Sequence, residues 1–278
     1  MFKLNKSRWF YLITFCLVSQ IALANEIYRS EDAQGRVTYS DQITAGSKQV
    51  EISKRSYRHL RLVTNVYDGD TVVLEDGQRI RLLGVNTPEI ESRHRQGESG
   101  GMAAKEWLQK QLQDKKVYLE FDEEKHDRYK RLLAHIFLPD GKHLNLALVE
   151  NGLAIVNIIP PNMRYADVLI KAQQQAEKQN LGVWSMTDYQ AYPLSQISGN
   201  RKGWQRVIGT PQSIKQSRKY TRLIFNNKVN IRIANDNLKL FPKLENYLDK
   251  SLEIRGWISR NKDHYSILIH HPSALIFQ

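Results

Sequence analysis

Cysteine is nearly absent: Cys16 is the only one in 278 residues. It lies in an N-terminal stretch expected to be removed, so the mature chain has no disulfide and must be stabilised by packing. The apolar run Trp9–Val18 is shorter than the ~20 residues a membrane-spanning helix needs, and Ser19-Gln20 interrupts it. That argues against an anchor there. His94, His126, His135 and His143 are scattered without metal-ligand spacing, which argues against zinc chemistry. Arrangements of Ser, Lys or Cys that would make a nucleophile are also missing from the mature chain.

What is present begins with a leader. Lys3, Lys6 and Arg8 precede the apolar run, and Ala22-Leu23-Ala24 fits a small-residue cleavage site. A signal peptide over 1–24, cleaved after Ala24, predicts a periplasmic or secreted protein with no stable membrane insertion after cleavage. Residues 25–57 alternate on either side of Gln34-Gly35 and read as one β-hairpin followed by a polar linker. This piece is similar to a short domain of unknown function that follows the signal peptide in many bacterial envelope proteins.

Charge divides the chain. The net charge is +12. Residues 187–278 hold 15 Lys+Arg and 6 Asp+Glu, whereas 25–186 hold 23 of each sign. A neutral unit joined to a basic one reads as chemistry plus grip on a polyanion, or as a solubilising tail.

The stretch Thr64–Glu89, TNVYDGDTVVLEDGQRIRLLGVNTPE, organises the rest. Thr71–Leu74 is a β-branched strand, Asp76-Gly77 a hairpin turn, and Arg79–Val85 the returning strand. Arg81 shares parity with Leu83 and Val85, which predicts a guanidinium on an apolar face in need of an anion. Strands follow at Val117–Phe121 and Leu132–Leu138, and helices at Met102–Leu112, Asn145–Glu150 and Tyr165–Asn180. A charged, glycine-containing loop spans 88–101. Beyond a linker at 187–202, strand signals at 204–210, 220–225, 228–234, 252–259 and 265–270 predict a second β-rich unit over 203–278. The fold class is therefore α+β: a small barrel with appended helices over 58–186, and a smaller barrel after it.

Asp68-Gly69-Asp70-Thr71, Arg81–Glu89 (RLLGVNTPE) and Asp127–Arg131 (DRYKR) stand in the order and spacing of the thermonuclease, or staphylococcal nuclease-like, family. The resemblance covers roughly 60–185 and implies an OB-fold barrel. Leu252–Ile258 with His271-Pro272 looks like an OB-like unit attached to some bacterial nucleases.

The resemblance implies a Ca²⁺-dependent nuclease acting on DNA and RNA and leaving 3′-phosphate ends. Asp70, Asn86 and Thr87 are carried over as metal ligands, with Asn86 where relatives usually have aspartate. Arg81 and Arg131 become phosphate clamps, Glu89 the residue that activates or orients water, and Tyr129 a phosphate contact. Lys130 stands where the family often has glycine, and Gly152–Pro160 lacks the tyrosines that stack a base. Trp204 and Trp257 are expected in the core of the second unit, with base stacking as the alternative role, and a monomer is expected. The competing function is a catalytically weak nucleic-acid-binding module on a nuclease-like barrel.

Overall fold

Alternating apolar and polar residues build most of this chain into short strands, and a computed structural model shows how they close. It describes residues 27–31, 37–40, 43, 46–50, 60–92, 96–113, 115–198 and 203–278. The leader expected over 1–24 and His94 lie outside the described residues. The chain divides into two units, 1–56 and 57–278.

In the first unit β1 (Ile27–Glu31) pairs antiparallel with β2 (Val37–Ser40), as the alternation predicts. β3 (Lys48–Val50), in a stretch read as polar linker, adds a third strand on the other edge of β1. Backbone pairing there needs no apolar pattern, which is why composition missed it.

The second unit starts with β4 (Leu60–Asp68), β5 (Thr71–Leu74) and β6 (Arg79–Leu82), followed by β7 (Val85–Asn86). Helix α1 (Gly101–Leu112) leads to β8 (Lys116–Glu120) and β9 (Leu132–Phe137). Helix α2 (Leu144–Glu150), β10 (Ile155–Val156) and helix α3 (Ala166–Lys178) complete the region. Strands β4-β5-β6-β9-β8 close into a five-stranded barrel, with β6 and β9 parallel and the other pairs antiparallel. This is an OB-fold barrel with helices appended, an α+β architecture. β7 pairs with β10 outside it.

Inward residues such as Val72, Ile80, Leu82, Ala134 and Ile136 form one core with Leu108 of α1, Leu148 of α2 and Leu169 of α3. The helices thus cap the barrel by covering apolar surface, at about 25 cal/mol per Å² removed from water.

β6 ends at Leu82, and Gly84 turns the chain at φ 76°. Arg81 therefore does not share a face with Leu83 and Val85. It lies opposite the buried Ile80 and Leu82, on the outer side of the strand. A parity count cannot be carried through a turn.

Beyond two 3-10 turns, β11 (Tyr192–Pro193), β12 (Trp204–Gly209), β13 (Ser213–Gln216), β14 (Tyr220–Ile224), β15 (Val229–Ala234), β16 (Leu252–Asn261), β17 (His264–Ile269) and β18 (Leu275–Phe277) form an eight-stranded sheet. Its order is β11-β12-β16-β17-β15-β14-β13, with β18 beside β16. The sheet surrounds its own core of Val207, Leu223, Ile231, Ile254 and Ile267. Trp204 is buried, as expected, but Trp257 is 41% exposed.

Candidate active site

The site is assembled where β4 turns into β5. The ladder between these strands is irregular between Val66 and Asp68, and Gly69 follows. A Cβ at Gly69 would stand 2.7 Å from both Ala104 Cβ and Thr87 Oγ1, so only glycine lets the turn, α1 and the Thr87 segment meet. That contact brings Asp70 against residues seventeen positions further along the chain.

Asp70 is 5% exposed. Its Oδ2 accepts from the Arg81 guanidinium at 3.0 Å and from the Thr87 backbone N–H at 2.9 Å, and its Oδ1 accepts from the Thr71 hydroxyl at 3.2 Å. Arg81 is held by three contacts. Nη2 donates to Asp70 and, at 3.0 Å, to Asn86 Oδ1, while Nη1 donates to the Leu82 carbonyl at 2.8 Å. Of its five N–H donors, Nε–H and one Nη1–H have no partner among the described residues. The anion that Arg81 requires is therefore Asp70, and donor capacity remains for another.

Asn86 Nδ2 donates to the Thr87 carbonyl at 2.9 Å, which aims Oδ1 at Arg81. Asp68 accepts the Asp70 N–H at 3.1 Å. Burial, reinforced by the neighbouring Asp70 charge, pushes the Asp68 carboxyl up to about 6. In the sequence Asp68 stands in the Asp68-Gly69-Asp70-Thr71 motif without a role of its own, and the structure sets it directly beside the buried Asp70.

Glu89 is fixed through its backbone. Its N–H donates to Glu98 Oε2 at 3.0 Å and its carbonyl accepts from the Glu98 N–H at 2.8 Å. A Cβ at Gly101 would come within 2.5 Å of the Glu89 carbonyl oxygen, so the start of α1 lies directly on this segment. Glu98, absent from the sequence-predicted set, thus holds the Glu89 backbone in place.

Arg131 enters on the loop before β9, the parallel neighbour of β6. Asp127 organises the loop: Oδ1 accepts the N–H groups of Tyr129 (2.8 Å) and Arg131 (3.0 Å), and Oδ2 accepts Arg131 Nε at 2.7 Å. Burial opposes ionisation of Asp127, but hydrogen bonds from Arg131 outweigh it and hold the carboxyl below its ordinary range. Tyr129 is 64% exposed and lies between Arg128 and Arg131, whose guanidiniums are 4.8 and 5.6 Å from its ring centre. Lys130 has φ 62°, the left-handed conformation glycine adopts without strain. The loop keeps that backbone and accepts a side chain there.

Asp70, Arg81, Asn86 and Thr87 are therefore linked by hydrogen bonds, with Glu89 on the same segment as Thr87 and Arg131 on the loop that leads into β9, the strand beside β6. What Asp70, Asn86 and Thr87 can offer a cation is all oxygen, with the Asp68 carboxylate beside them, which fits a hard ion such as Ca²⁺. No cluster of three or more His, Cys, Asp or Glu suited to a metal occurs among the described residues. His135 and His143, scattered in sequence, do meet: Nδ1 of His135 is 3.1 Å from Nε2 of His143. The pair packs against Tyr165.

A buried carboxylate and an arginine with donors to spare thus stand together on an OB barrel, with an acid on the adjoining loop. The model of the family described as "Staphylococcal nuclease homologue" matches residues 79–186. The chain is 40% identical over 126 residues to a thermonuclease of Staphylococcus intermedius, covering 44% of this chain and 74% of that one. It is 34% identical over 137 residues to a thermonuclease of Staphylococcus hyicus (48% and 78%). It is 33% identical over 127 residues to endonuclease YncB of Bacillus subtilis strain 168 (44% and 60%). The chain belongs to the staphylococcal nuclease family, and it is a phosphodiester-hydrolysing nuclease. Residues 14–56 match a second model, a domain of unknown function (DUF4124).

Proposed function

We propose that this nuclease is Ca²⁺-dependent, is exported to the periplasm or beyond, and cuts both DNA and RNA to leave 3′-phosphate ends. The observation that carries the reading is Arg81, pinned by Asp70 and Asn86 at 3.0 Å each with two N–H donors to spare. An arginine so fixed offers preorganised donors to a phosphate and loses little entropy on binding it.

Asp70, Asn86 and Thr87 would hold Ca²⁺, whose charge lowers the cost of negative charge on the phosphoryl oxygens. Glu89 accepts a proton from water as its oxygen attacks phosphorus in line. Arg81 and Arg131 donate to the equatorial oxygens, where negative charge grows. Asp127 keeps Arg131 in place, and Tyr129 contacts a neighbouring phosphate. The bond to the 5′ oxygen breaks, the leaving alkoxide takes a proton from solvent water to give a 5′-hydroxyl end, and Glu89 returns its proton to solvent.

The test is plasmid DNA, and separately a single-stranded RNA, incubated with the chain in Ca²⁺ or in chelator, with end-group analysis of the products. Cleavage in Ca²⁺ alone with 3′-phosphate ends is expected. Binding of both nucleic acids without cleavage would instead favour the binding-module reading.

A further inference from the structure

The outer face of the second sheet carries cations in a row. Lys215 on β13 pairs directly with Arg222 on β14, and Arg222 pairs directly with Arg232 on β15. Like charges placed opposite one another on neighbouring strands are destabilising. A row of three is a cost to the free protein that an anion would remove.

Elsewhere in the same sheet arginines are neutralised. Arg206 and Arg255 share Glu253, and Arg255 also pairs with Glu177. Arg222, Arg232 and Arg260 have no carboxylate partner among the described residues. Arg222 donates to Ser217 Oγ at 3.0 Å, and Arg260 to the Lys262 carbonyl at 2.6 Å. Arg232 reaches Ser259 Oγ only at 3.5 Å, and its Nε–H is shut from solvent with no hydrogen-bond partner.

These three arginines line one concave patch of about 230 Å³, together with Asn230, Ser259 and Ser266. No acidic residue lines it. Two rings adjoin the guanidiniums: Tyr220 lies 5.5 Å from Arg232, and Tyr265 lies 5.8 Å from Arg260. Cations that track a backbone beside aromatic faces suit a strand whose bases are unpaired.

We propose that this patch binds the sugar–phosphate backbone of single-stranded nucleic acid without regard to sequence, as a holding site separate from the hydrolytic one. The inference rests on the nuclease reading for its substrate class. Arg222, Arg232 and Arg260 contact successive phosphates, Lys215 extends the track, and Tyr220 and Tyr265 offer their faces to bases.

The test is made on the full chain carrying Glu89→Gln, so that the strand stays intact. Its affinity for a 5′-labelled oligothymidylate is compared with that of Arg222→Gln/Arg232→Gln/Arg260→Gln in the same background. The triple variant should bind about tenfold more weakly at low salt. The slope of log K against log[salt] should flatten by about 2, at ~0.7 for each single-strand phosphate left without its cation. Lys215→Gln/Arg222→Gln, at two outward positions, should give a smaller loss of the same kind and stands in if the triple variant does not fold.

Lys110→Gln/Lys171→Gln/Lys178→Gln removes equal charge from the nuclease helices and should leave the slope unchanged. An equal loss in this control, or an unchanged slope in the arginine variants, overturns the proposal. An equal loss of duplex and single-strand affinity overturns the single-strand assignment. Hydrolysis of a small thymidine phosphodiester by chains with Glu89 intact is scored separately. If that fails in the parent chain, the nuclease reading has failed. If it persists alongside unmoved arginine variants, only the holding site has.

Discussion

Asn86 makes two hydrogen bonds that a carboxylate could not both make. Its Oδ1 accepts from Arg81, and its Nδ2 donates to the Thr87 carbonyl. Asn86→Asp keeps the first and replaces the second with two oxygens facing one another. Without metal this variant should lose about 1 kcal/mol of stability, the worth of one ordinary hydrogen bond. With metal the added charge works the other way, since ligand charge is a main control on Ca²⁺ affinity. The Ca²⁺ concentration for half-maximal activity should fall on the order of tenfold, which is ~1.4 kcal/mol. Denaturant unfolding in chelator and a Ca²⁺ titration at fixed ionic strength check the two halves. An unchanged half-saturation point would show that Asn86 does not reach the ion.

β9 carries both a lesson in burial and a pH prediction. His135 is 2% exposed, set between the ring of Tyr165 and the His143 side chain that precedes α2, and it pairs in register with Glu120 of β8. Burial, then repulsion from His143 and Arg164, push its pKa down to about 2. The unfolded chain takes up this proton near pH 6.5 and the folded chain does not. The stability contribution is therefore complete above about 6.5 and falls as pH drops towards 2, by up to ~1.4 kcal/mol per unit. Between pH 7 and 5 the chain should lose about 2 kcal/mol through this residue. His135→Asn, whose amide can still meet His143, should be less sensitive by that amount in urea unfolding. Equal pH dependence in both proteins would refute the assignment.

Strands rich in β-branched and apolar residues were legible in the sequence: Thr71–Leu74, Leu132–Phe137 and Val229–Ala234 fall where the pattern puts them, and Val229–Ala234 buries alternate residues. The helices were too, since α1, α2 and α3 each present apolar residues at helical spacing to the core. Strands with little apolar content, or of only two or three residues, were not. Ser213–Gln216 holds one apolar residue, and Lys48–Val50, Val85–Asn86 and Ile155–Val156 are fixed by their partners rather than by their own pattern. In the site, Asp70, Arg81 and Glu89 could be named from local motifs. Glu98 could not, and Asp127 stood in its motif without a role, because positioning residues declare themselves only through the hydrogen bonds they make. The meeting of His135 with His143 was equally hidden, since it depends on where β9 places the start of α2.

Across the whole molecule, the catalytic barrel and the second sheet share buried ionic contacts. Glu253 accepts Arg206 at 2.7 and 3.0 Å and Arg255 at 2.6 Å, while Arg255 also donates both Nη groups to Glu177 at the end of α3. Both arginines flank Trp184, which packs edge-on against Trp204. Trp184 and Trp204 belong to one apolar cluster with Ile155 and Ala176 of the nuclease region. Arg255→Ala leaves Glu177 and the buried Glu253 short of a partner, and should destabilise the chain by ~3–5 kcal/mol. A loss under ~1 kcal/mol in denaturant unfolding would mean the two parts are stable independently. The same contacts make point variants a better probe of the basic face than removal of residues 203–278, which would uncover Trp184.

The central claim is that Glu89 and Arg131 act on the phosphodiester at a site Arg81 and Asp70 hold in place. Steady-state hydrolysis of DNA in Ca²⁺ by the parent chain, Glu89→Gln and Arg131→Ala tests it most directly. Both substitutions remove interactions that strengthen in the transition state, so kcat should fall ~10²–10³-fold with KM changed far less and with unfolding midpoints preserved. Turnover within a few-fold of the parent chain in either variant would contradict the account.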